Sequence, residues 1–489
     1  MRPFEILLSF VNLLTFFVFV IPLPNALFWM RYLAPLALLI AASQILMEGS
    51  RWQMVPAYAL AVLFFLVWLL DGQVLVKQLA IGLSAFVLIV SIILPILLPV
   101  FRFPHPNGPY KIGTLTYHWV DVDRPEIFST EPNDHRELMV QIWYPANKES
   151  SSPKVPYIQD SDIVTRALAR LHNFPDFSLT HLKYVTTNAV SSAPVAEDKP
   201  NYPVLIILEG LTGYRQMNTF QVEELVSHGY IVVGIDQPGA AATVVFPDGH
   251  QINVPSVNNV MQPLIHQSFS PSETIPQLNG QAMPVGIIPY FAQDVSFALD
   301  QLASINTTDS NNILTGKLDL QHIGVFGMSL GGAVGAEACL KDPRIKACLI
   351  EDVAMTADVV QKGLQQPSML ITRPANTMRF ERQTSGGWAE RDIVQTQTTM
   401  RAVYNSLPGD GYFIQVPGMY HIDMTDDTYI SPIFPTIGFS GPIGIQRAHD
   451  IINAYSLAFF DRHLKGISEA LLNGPVNQYP EVIFETRSP

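Results

Sequence analysis

The sequence predicts an α/β domain, a mostly parallel sheet with helices on both faces, preceded by an all-α region of about four transmembrane helices. Three observations carry that prediction. The first hundred residues are nearly free of charge. From about Pro109, short apolar runs alternate with amphipathic stretches. One glycine-flanked serine stands between a strand-like run and a helix-like run. The composition agrees: 48% of the 489 residues are hydrophobic and 15% are charged, against the usual ~25% charged. That balance excludes a disordered chain and a nucleic-acid binder. A formal charge of −13 opposes any anionic polymer as partner. Two cysteines cannot build a disulfide framework or a four-thiolate zinc site.

The N-terminal region comes first. Residues 1–101 carry Arg2, Arg31, Arg51 and Lys77 against Glu5, Glu48 and Asp71. Uncharged runs lie between them: Ile6–Met30, Tyr32–Met47, Trp52–Leu70 and Gln78–Phe101. A bilayer core of ~30 Å needs about 20 apolar residues as helix. The third and fourth runs meet this directly. Pro22 and Pro24 break the first, and the second reaches it if Arg31 snorkels. The expected spans are 4–22, 26–46, 53–71 and 78–100, within an anchor of residues 1–103. A cleaved signal peptide is the competing reading of the first run. No small-x-small cleavage site follows it, and three more spans do. With four spans, Arg2, Arg51 and Arg102 share one side against Lys77 and Arg31. The positive-inside rule then puts the C-terminal domain in the cytoplasm, beneath the cell membrane.

Residues 104–489 are expected to form the α/β domain. Gly113–Val120 and Glu137–Trp143 read as a first pair of strands. Val204–Leu208 is a continuous apolar run of buried-strand type. Phe220–His228 has helical spacing and Tyr230–Ile235 reads as strand. Residues 241–284 are rich in Pro, Ser, Asn and Gln without periodicity, so a lid or an insertion is expected there. Tyr290–Ala303 reads as helix, His322–Phe326 as strand, Leu330–Lys341 as helix and Lys346–Ile350 as strand. Ser368–Thr372 and Tyr412–Val416 follow as strands, and Gln446–Lys465 as the closing helix.

The most specific signal is Gly327-Met328-Ser329-Leu330-Gly331, with Gly332 after it. It joins a strand to a helix, the context of the G-x-S-x-G nucleophile elbow of α/β-hydrolases. Glycines at 327 and 331 let the two elements approach closely, and the helix N-terminus favours developing negative charge. Ser329 is therefore the candidate nucleophile. Its base must follow in the chain, and only His421, His449 and His463 do. The last two fall in the closing amphipathic helix, where a solvated or half-buried role is expected. His421 follows the strand Tyr412–Val416 through a Pro-Gly turn and is the candidate base. The loop after Thr372 holds no carboxylate before Glu381, whereas the strand Lys346–Ile350 ends in Glu351-Asp352. Asp352 is the preferred acid, with Glu351 the second choice. Asp423, Asp426 and Asp427 read as a solvated loop face. The oxyanion hole needs two backbone N–H groups. Leu330 supplies one, and Leu211, in the loop Glu209-Gly210-Leu211-Thr212-Gly213, is the candidate for the other. This set requires no metal and no cofactor.

These residues resemble the platelet-activating factor acetylhydrolases of the plasma and type II intracellular kind. The resemblance runs from about Gly113 to Lys465. It includes Arg136-Glu137-Leu138 leading into Ile142-Trp143-Tyr144-Pro145, Tyr202-Pro203-Val204 leading into Gly210-Leu211 and Tyr214-Arg215, and Ser227-His228-Gly229-Tyr230-Ile231-Val232. It continues through the elbow to Asp352 and ends on the Gly418–His421 pattern. In that family the acid stands 23 positions beyond the serine, which is the interval from Ser329 to Asp352. The chain departs from the pattern at Glu209 and Met328, each usually histidine, and at Leu330, usually aromatic. The multi-span anchor is a further difference. The resemblance implies a serine ester hydrolase acting on phospholipids with a short or oxidised sn-2 acyl chain. A general carboxylesterase, lipase or polyester hydrolase is the alternative activity. A non-catalytic membrane-tethered binding module is the alternative class. The expected partners are a lipid or small ester and the membrane; no protein partner can be named.

Overall fold

The structure is a computed structural model that describes residues 1–21, 24–70, 74–131, 133–147 and 153–488, with side chains from 82 onward in the fourth helix. The expected span ends at 22 and 71 lie outside the described residues, as does the side chain of Lys77. The chain divides into two compact units. One comprises Met1–Phe101 with Pro175–Val185 and Tyr429–Ile433, and the other comprises the remainder.

The first unit is built on helices α1 (Pro3–Val20), α2 (Leu33–Glu48), α3 (Val55–Leu69) and α4 (Val74–Leu97). Among the described residues, Pro3–Val20, Asn25–Glu48 and Trp52–Leu69 are long and apolar enough to cross a membrane, and Gly82–Leu97 is a shorter apolar stretch. Small residues let α2 and α3 approach: Ala37, Ala41, Ala57 and Ala61 are all buried, and each pair is spaced by four. The unit is inverted relative to a water-soluble bundle. Glu5, Asn12 and Gln44 are fully buried, while Phe10, Leu39, Leu46 and Phe86 face outward. The buried charges are paired, with Arg51 Nε donating to Glu5 Oε1 at 2.7 Å. The side chain of Asn12 donates to the Ala57 carbonyl at 3.0 Å. Unpaired, these groups would each cost several kcal/mol, so the pairing lets the helices carry them.

The second unit is an α/β fold on an 11-stranded sheet. Its strands are β1 (Lys111–Pro125), β2 (His135–Ala146), β3 (Lys154–Pro156), β4 (Thr186–Ser191), β5 (Tyr202–Leu208) and β6 (Ile231–Asp236). Two short hairpins, β7 (Thr243–Val245) with β8 (Gln251–Asn253) and β9 (Gln277–Leu278) with β10 (Gln281–Ala282), lie outside the sheet. It resumes with β11 (Leu318–Met328), β12 (Ile345–Glu351), β13 (Ser368–Thr372), β14 (Gly411–Gln415) and β15 (Ile483–Arg487). The order is β15-β14-β13-β12-β11-β5-β6-β2-β1-β4-β3. The stretch from β14 to β6 is parallel throughout, and antiparallel β15 and β2 flank it.

The helices are α5 (Ser161–Leu171), α6 (Thr219–Ser227), α7 (Gln262–Phe269), α8 (Ile288–Thr307), α9 (Leu330–Lys341), α10 (Ala357–Lys362), α11 (Ala375–Ser385), α12 (Glu390–Ser406) and α13 (Ile445–Lys465). Strand alternation divides the core between the two sheet faces. Ile323 and Val325 join the cluster that holds Phe291 and Val295 of α8 and Ala333 of α9. Gly324, on the opposite face, leaves room for Phe460 and Leu464 of α13; a Cβ there would stand 2.7 Å from the Phe460 ring. Each such Val, Leu or Ile contributes roughly 1.5–3 kcal/mol by leaving water.

The segment expected to be aperiodic, 241–284, is ordered. It holds the two short hairpins, a helical turn at Val257–Met261 and α7, with Met261 and Leu264 fully buried in the main core.

Candidate active site

The strand order places the site. Chain order runs outward from β5 to β6 on one side and to β11 on the other, so the loops after β5 and β11 diverge over the carboxyl edge of the sheet. A crevice at such a switch point is where open α/β sheets bind ligands. Glu209–Gly213 follows β5, Ser329 follows β11, Asp352 follows β12, and His421 lies beyond β14.

Ser329 has φ 55° and ψ −129°, a conformation L-residues rarely hold. It costs of order 1–3 kcal/mol and persists only where its surroundings enforce it. Here the Ser329 N–H donates to the Glu351 carbonyl at 2.8 Å. The helix behind it packs against backbone: a Cβ on Gly331 would stand 2.1 Å from the Leu208 carbonyl oxygen, and one on Gly327 2.6 Å from the Gly331 carbonyl carbon. Both glycines are obligatory for this turn. The β5 loop is close as well, since a Cβ on Gly210 would meet the Ser329 Cβ at 3.3 Å. The Thr212 and Gly213 amides are committed to the Ala240 and Gly210 carbonyls. The amides of Leu211 and Leu330 have no protein acceptor among the described residues. Ser329, Leu211 and Leu330 line one cleft with Ile265 and Phe269 of α7, Val353 and Trp388. Gln262, His266, Asp392 and Gln395 form its polar side.

His421 Nδ1 is 2.7 Å from Asp352 Oδ2. A carboxylate can only accept, so Nδ1 carries the hydrogen, and in the neutral ring the lone pair is on Nε2. The Thr372 hydroxyl donates to the other oxygen, Oδ1, at 2.7 Å. Burial raises the Asp352 pKa, but the Arg373 charge and the His421 bond outweigh it and hold the carboxyl well below the usual carboxylate range. The ring of Trp388, a cleft residue, meets the His421 imidazole edge-on at 4.7 Å between centroids. Glu351 turns away from this group. Its Oε1 accepts from Gln221 at 2.8 Å, its Oε2 has no partner, and burial pushes its pKa up to about 8.

Arg373 and Glu381 were given no role from the sequence. Arg373, fully buried, stands with Nη2 2.8 Å from Asp352 Oδ2, an ion pair whose angle falls short of a hydrogen bond. Its Nη1 donates to Glu381, and Glu381 Oε1 accepts the His421 backbone N–H at 3.1 Å. A charged residue directly after the apolar strand Ser368–Thr372 was the signal available for it. The solvated loop face expected of Asp423, Asp426 and Asp427 is corrected at Asp423 and Asp426, which are fully buried, while Asp427 is half-buried. Asp426 accepts the Thr219 and Phe220 amides at 2.6 and 3.1 Å, capping α6 from a distant loop. Asp423 accepts the Tyr420 and Gly441 amides at 2.7 and 2.8 Å. His449 is also buried, stacked on Phe220 at 3.7 Å. Glu209, in the position where the resembling family carries histidine, is buried with Oε1 accepting from the Gln237 amide at 3.1 Å, and burial beside Asp236 raises its pKa well above the ordinary value.

Comparison with known proteins identifies the family. The sequence model of platelet-activating factor acetylhydrolase, isoform II, matches residues 98–471. A probable 1-alkyl-2-acetylglycerophosphocholine esterase of Arthroderma benhamiae is 24% identical over 399 residues, covering 78% of this chain and 94% of the relative. The platelet-activating factor acetylhydrolase of Cavia porcellus is 25% identical over 381 residues, covering 74% and 78%. Among solved structures, a ferulic acid esterase from Streptomyces cinnamoneus superposes with a TM-score of 0.60 at 26% identity, covering 79% of this chain and 99% of its own. A family match of that extent, with an esterase that superposes on most of the chain, makes it an α/β-hydrolase-fold ester hydrolase of the platelet-activating factor acetylhydrolase isoform II family.

Proposed function

We propose that the protein is a membrane-anchored serine esterase that removes short or oxidised sn-2 acyl chains from phospholipids. The carrying observation is the strained Ser329 in a cleft whose Trp388 touches His421, itself bonded to buried Asp352. In this reading Ser329 Oγ attacks the ester carbonyl while His421 Nε2 takes its proton. The tetrahedral oxyanion is met by the Leu211 and Leu330 amides. Collapse expels the lysophospholipid alcohol, which receives the proton from His421, and leaves an acyl-Ser329 ester. Water then attacks that ester with His421 again as base, releasing the acid and restoring the serine. Asp352 fixes the imidazole tautomer and stabilises its charged form.

The substrate class rests on the relatives, whose printed names are those of acetyl-ester hydrolases. The apolar cleft wall of Ile265, Phe269 and Val353 suits an acyl chain. The anchor rests on the inverted packing of the first unit, with apolar side chains outside and the Glu5–Arg51 ion pair inside. Lipid is the solvent that makes such a surface favourable. The cell membrane, with the catalytic unit on the cytoplasmic side, is the proposed location. The test of substrate class is turnover of phosphatidylcholines that differ only in the sn-2 chain. Chains of two to about six carbons are expected to be cleaved faster than palmitoyl, and preference for palmitoyl would point to an ordinary lipase.

A further inference from the structure

Arg373 is a buried guanidinium that the proposed chemistry does not itself use. Many α/β-hydrolases carry the acid in the loop after this strand; here the loop opens with a base. A buried arginine is sustained only by compensating charge, and two carboxylates provide it. Nη2 stands 2.8 Å from Asp352 Oδ2, and Nη1 donates to Glu381. Glu381, 7% exposed, uses its other oxygen to accept the His421 backbone N–H at 3.1 Å. His421 is thus held twice: at Nδ1 by Asp352, and at its main chain by Glu381. Arg373 ties the two carboxylates together. Its own carbonyl accepts from Gln397 at 2.8 Å, and its guanidinium lies 5.2 Å from the Trp388 ring centroid.

We propose that Arg373 and Glu381 are positioning residues that hold the Asp352–His421 pair and set the charge the imidazole meets. This rests on the reading of Ser329, Asp352 and His421 as nucleophile, acid and base. One guanidinium and two carboxylates leave a net charge of −1 beside the ring. A single negative charge stabilises the imidazolium formed as Ser329 loses its proton. A second favours the imidazolium before the serine gives up its proton and so opposes the base.

The other charged groups near the ring are engaged elsewhere, though Asp423 also feels the Glu381 charge and is eased by Glu381→Gln. Glu351, next to Asp352, turns toward Gln221. Asp423, on the same turn as His421, is bonded to the Tyr420 and Gly441 amides and to the Ser440 hydroxyl. Ser329 and Trp388 are uncharged. At the cleft rim, His266 faces Arg391 at 2.9 Å and Asp392 at 4.0 Å.

The experiment is the pH dependence of the fluorophosphonate labelling rate of the full-length protein in detergent. Glu381→Gln removes a negative charge, so the acidic limb should move to lower pH by about one unit. Arg373→Gln removes a positive charge and should move it upward by about as much. The double variant restores the net charge of −1 and should return the limb close to the wild-type position. A scaffold role alone predicts slower labelling or earlier melting with the limb unmoved, and that result overturns the proposal, as do single variants that shift in the same direction. Should Arg373→Gln alone not fold, the double variant's limb is expected above that of Glu381→Gln, and coincident limbs overturn the proposal. Ser329→Ala separates the two ideas: labelling that persists in it rejects the triad itself, whatever the limbs do.

Discussion

Glu351 and Asp352 are adjacent, yet their surroundings give them opposite character. Asp352 is held ionised by Arg373 and His421, while Glu351 is buried against one amide with a pKa pushed up to about 8. Asp352→Asn should lower kcat by on the order of 10⁴, as loss of a triad acid does, and Glu351→Gln should leave it near wild type. Steady-state kinetics with a nitrophenyl ester ranks the two, and the reverse order moves the role to Glu351. Glu351 also predicts a pH effect on stability. Its pKa rises on folding from 4.5 to about 8, so between those values the folded state binds more protons. Stability from this group is complete below pH 4.5, declines as pH rises through the window, and is lost above it. Melting temperatures at pH 5 and pH 9 should differ less in Glu351→Gln than in wild type, and an equal difference would contradict the assignment. At this scale the sequence was readable where backbone geometry dictates residue type. Gly327 and Gly331 flank Ser329 because no Cβ fits there. It was unreadable where charge is balanced across loops. Nothing in residues 423–427 reveals that Asp426 caps α6, which begins some two hundred positions earlier.

The elbow is the element on which the site depends. Gly331→Ala would drive a methyl into the Leu208 carbonyl, which belongs to the central strand β5 and cannot withdraw. Overpacking of this kind costs typically 1–3 kcal/mol or more, so a lower melting temperature with lost labelling is expected, measured on the purified protein. The apolar side chains of 241–284 divide by role. Met261 and Leu264 belong to the core alone, and Ile265 and Phe269, packed in or against the same core, also line the cleft. If α7 forms the acyl wall, Phe269→Ser should weaken hydrolysis of micellar phospholipid more than of nitrophenyl acetate, and equal losses would reject that role. The central strands were legible because they are continuous apolar runs between helical stretches. The 241–284 segment was not, because hairpins of two or three residues and one eight-residue helix are too short to display a period.

Over the whole chain, the two units present opposite surfaces. The second unit follows water's rule, with an apolar core between sheet and helices. The first reverses it, with Glu5 and Arg51 paired inside and Phe10, Leu39 and Phe86 outside. The full-length protein should therefore stay with membranes through a carbonate wash and be released by detergent; release by carbonate alone would remove the anchor from the account. The change of material near residue 101 is plain in the charge distribution. The inclusion of Pro175–Val185 and Tyr429–Ile433 in the first unit is not, because those segments lie far along the chain from the helices. The central claim, ester hydrolysis through an acyl-Ser329, is tested most directly by peptide mapping of the detergent-solubilised protein after inactivation with a fluorophosphonate. A single adduct on Ser329, formed in step with the loss of esterase activity and absent in Ser329→Ala, is the predicted result. An adduct on another serine that tracks the loss of activity would contradict it.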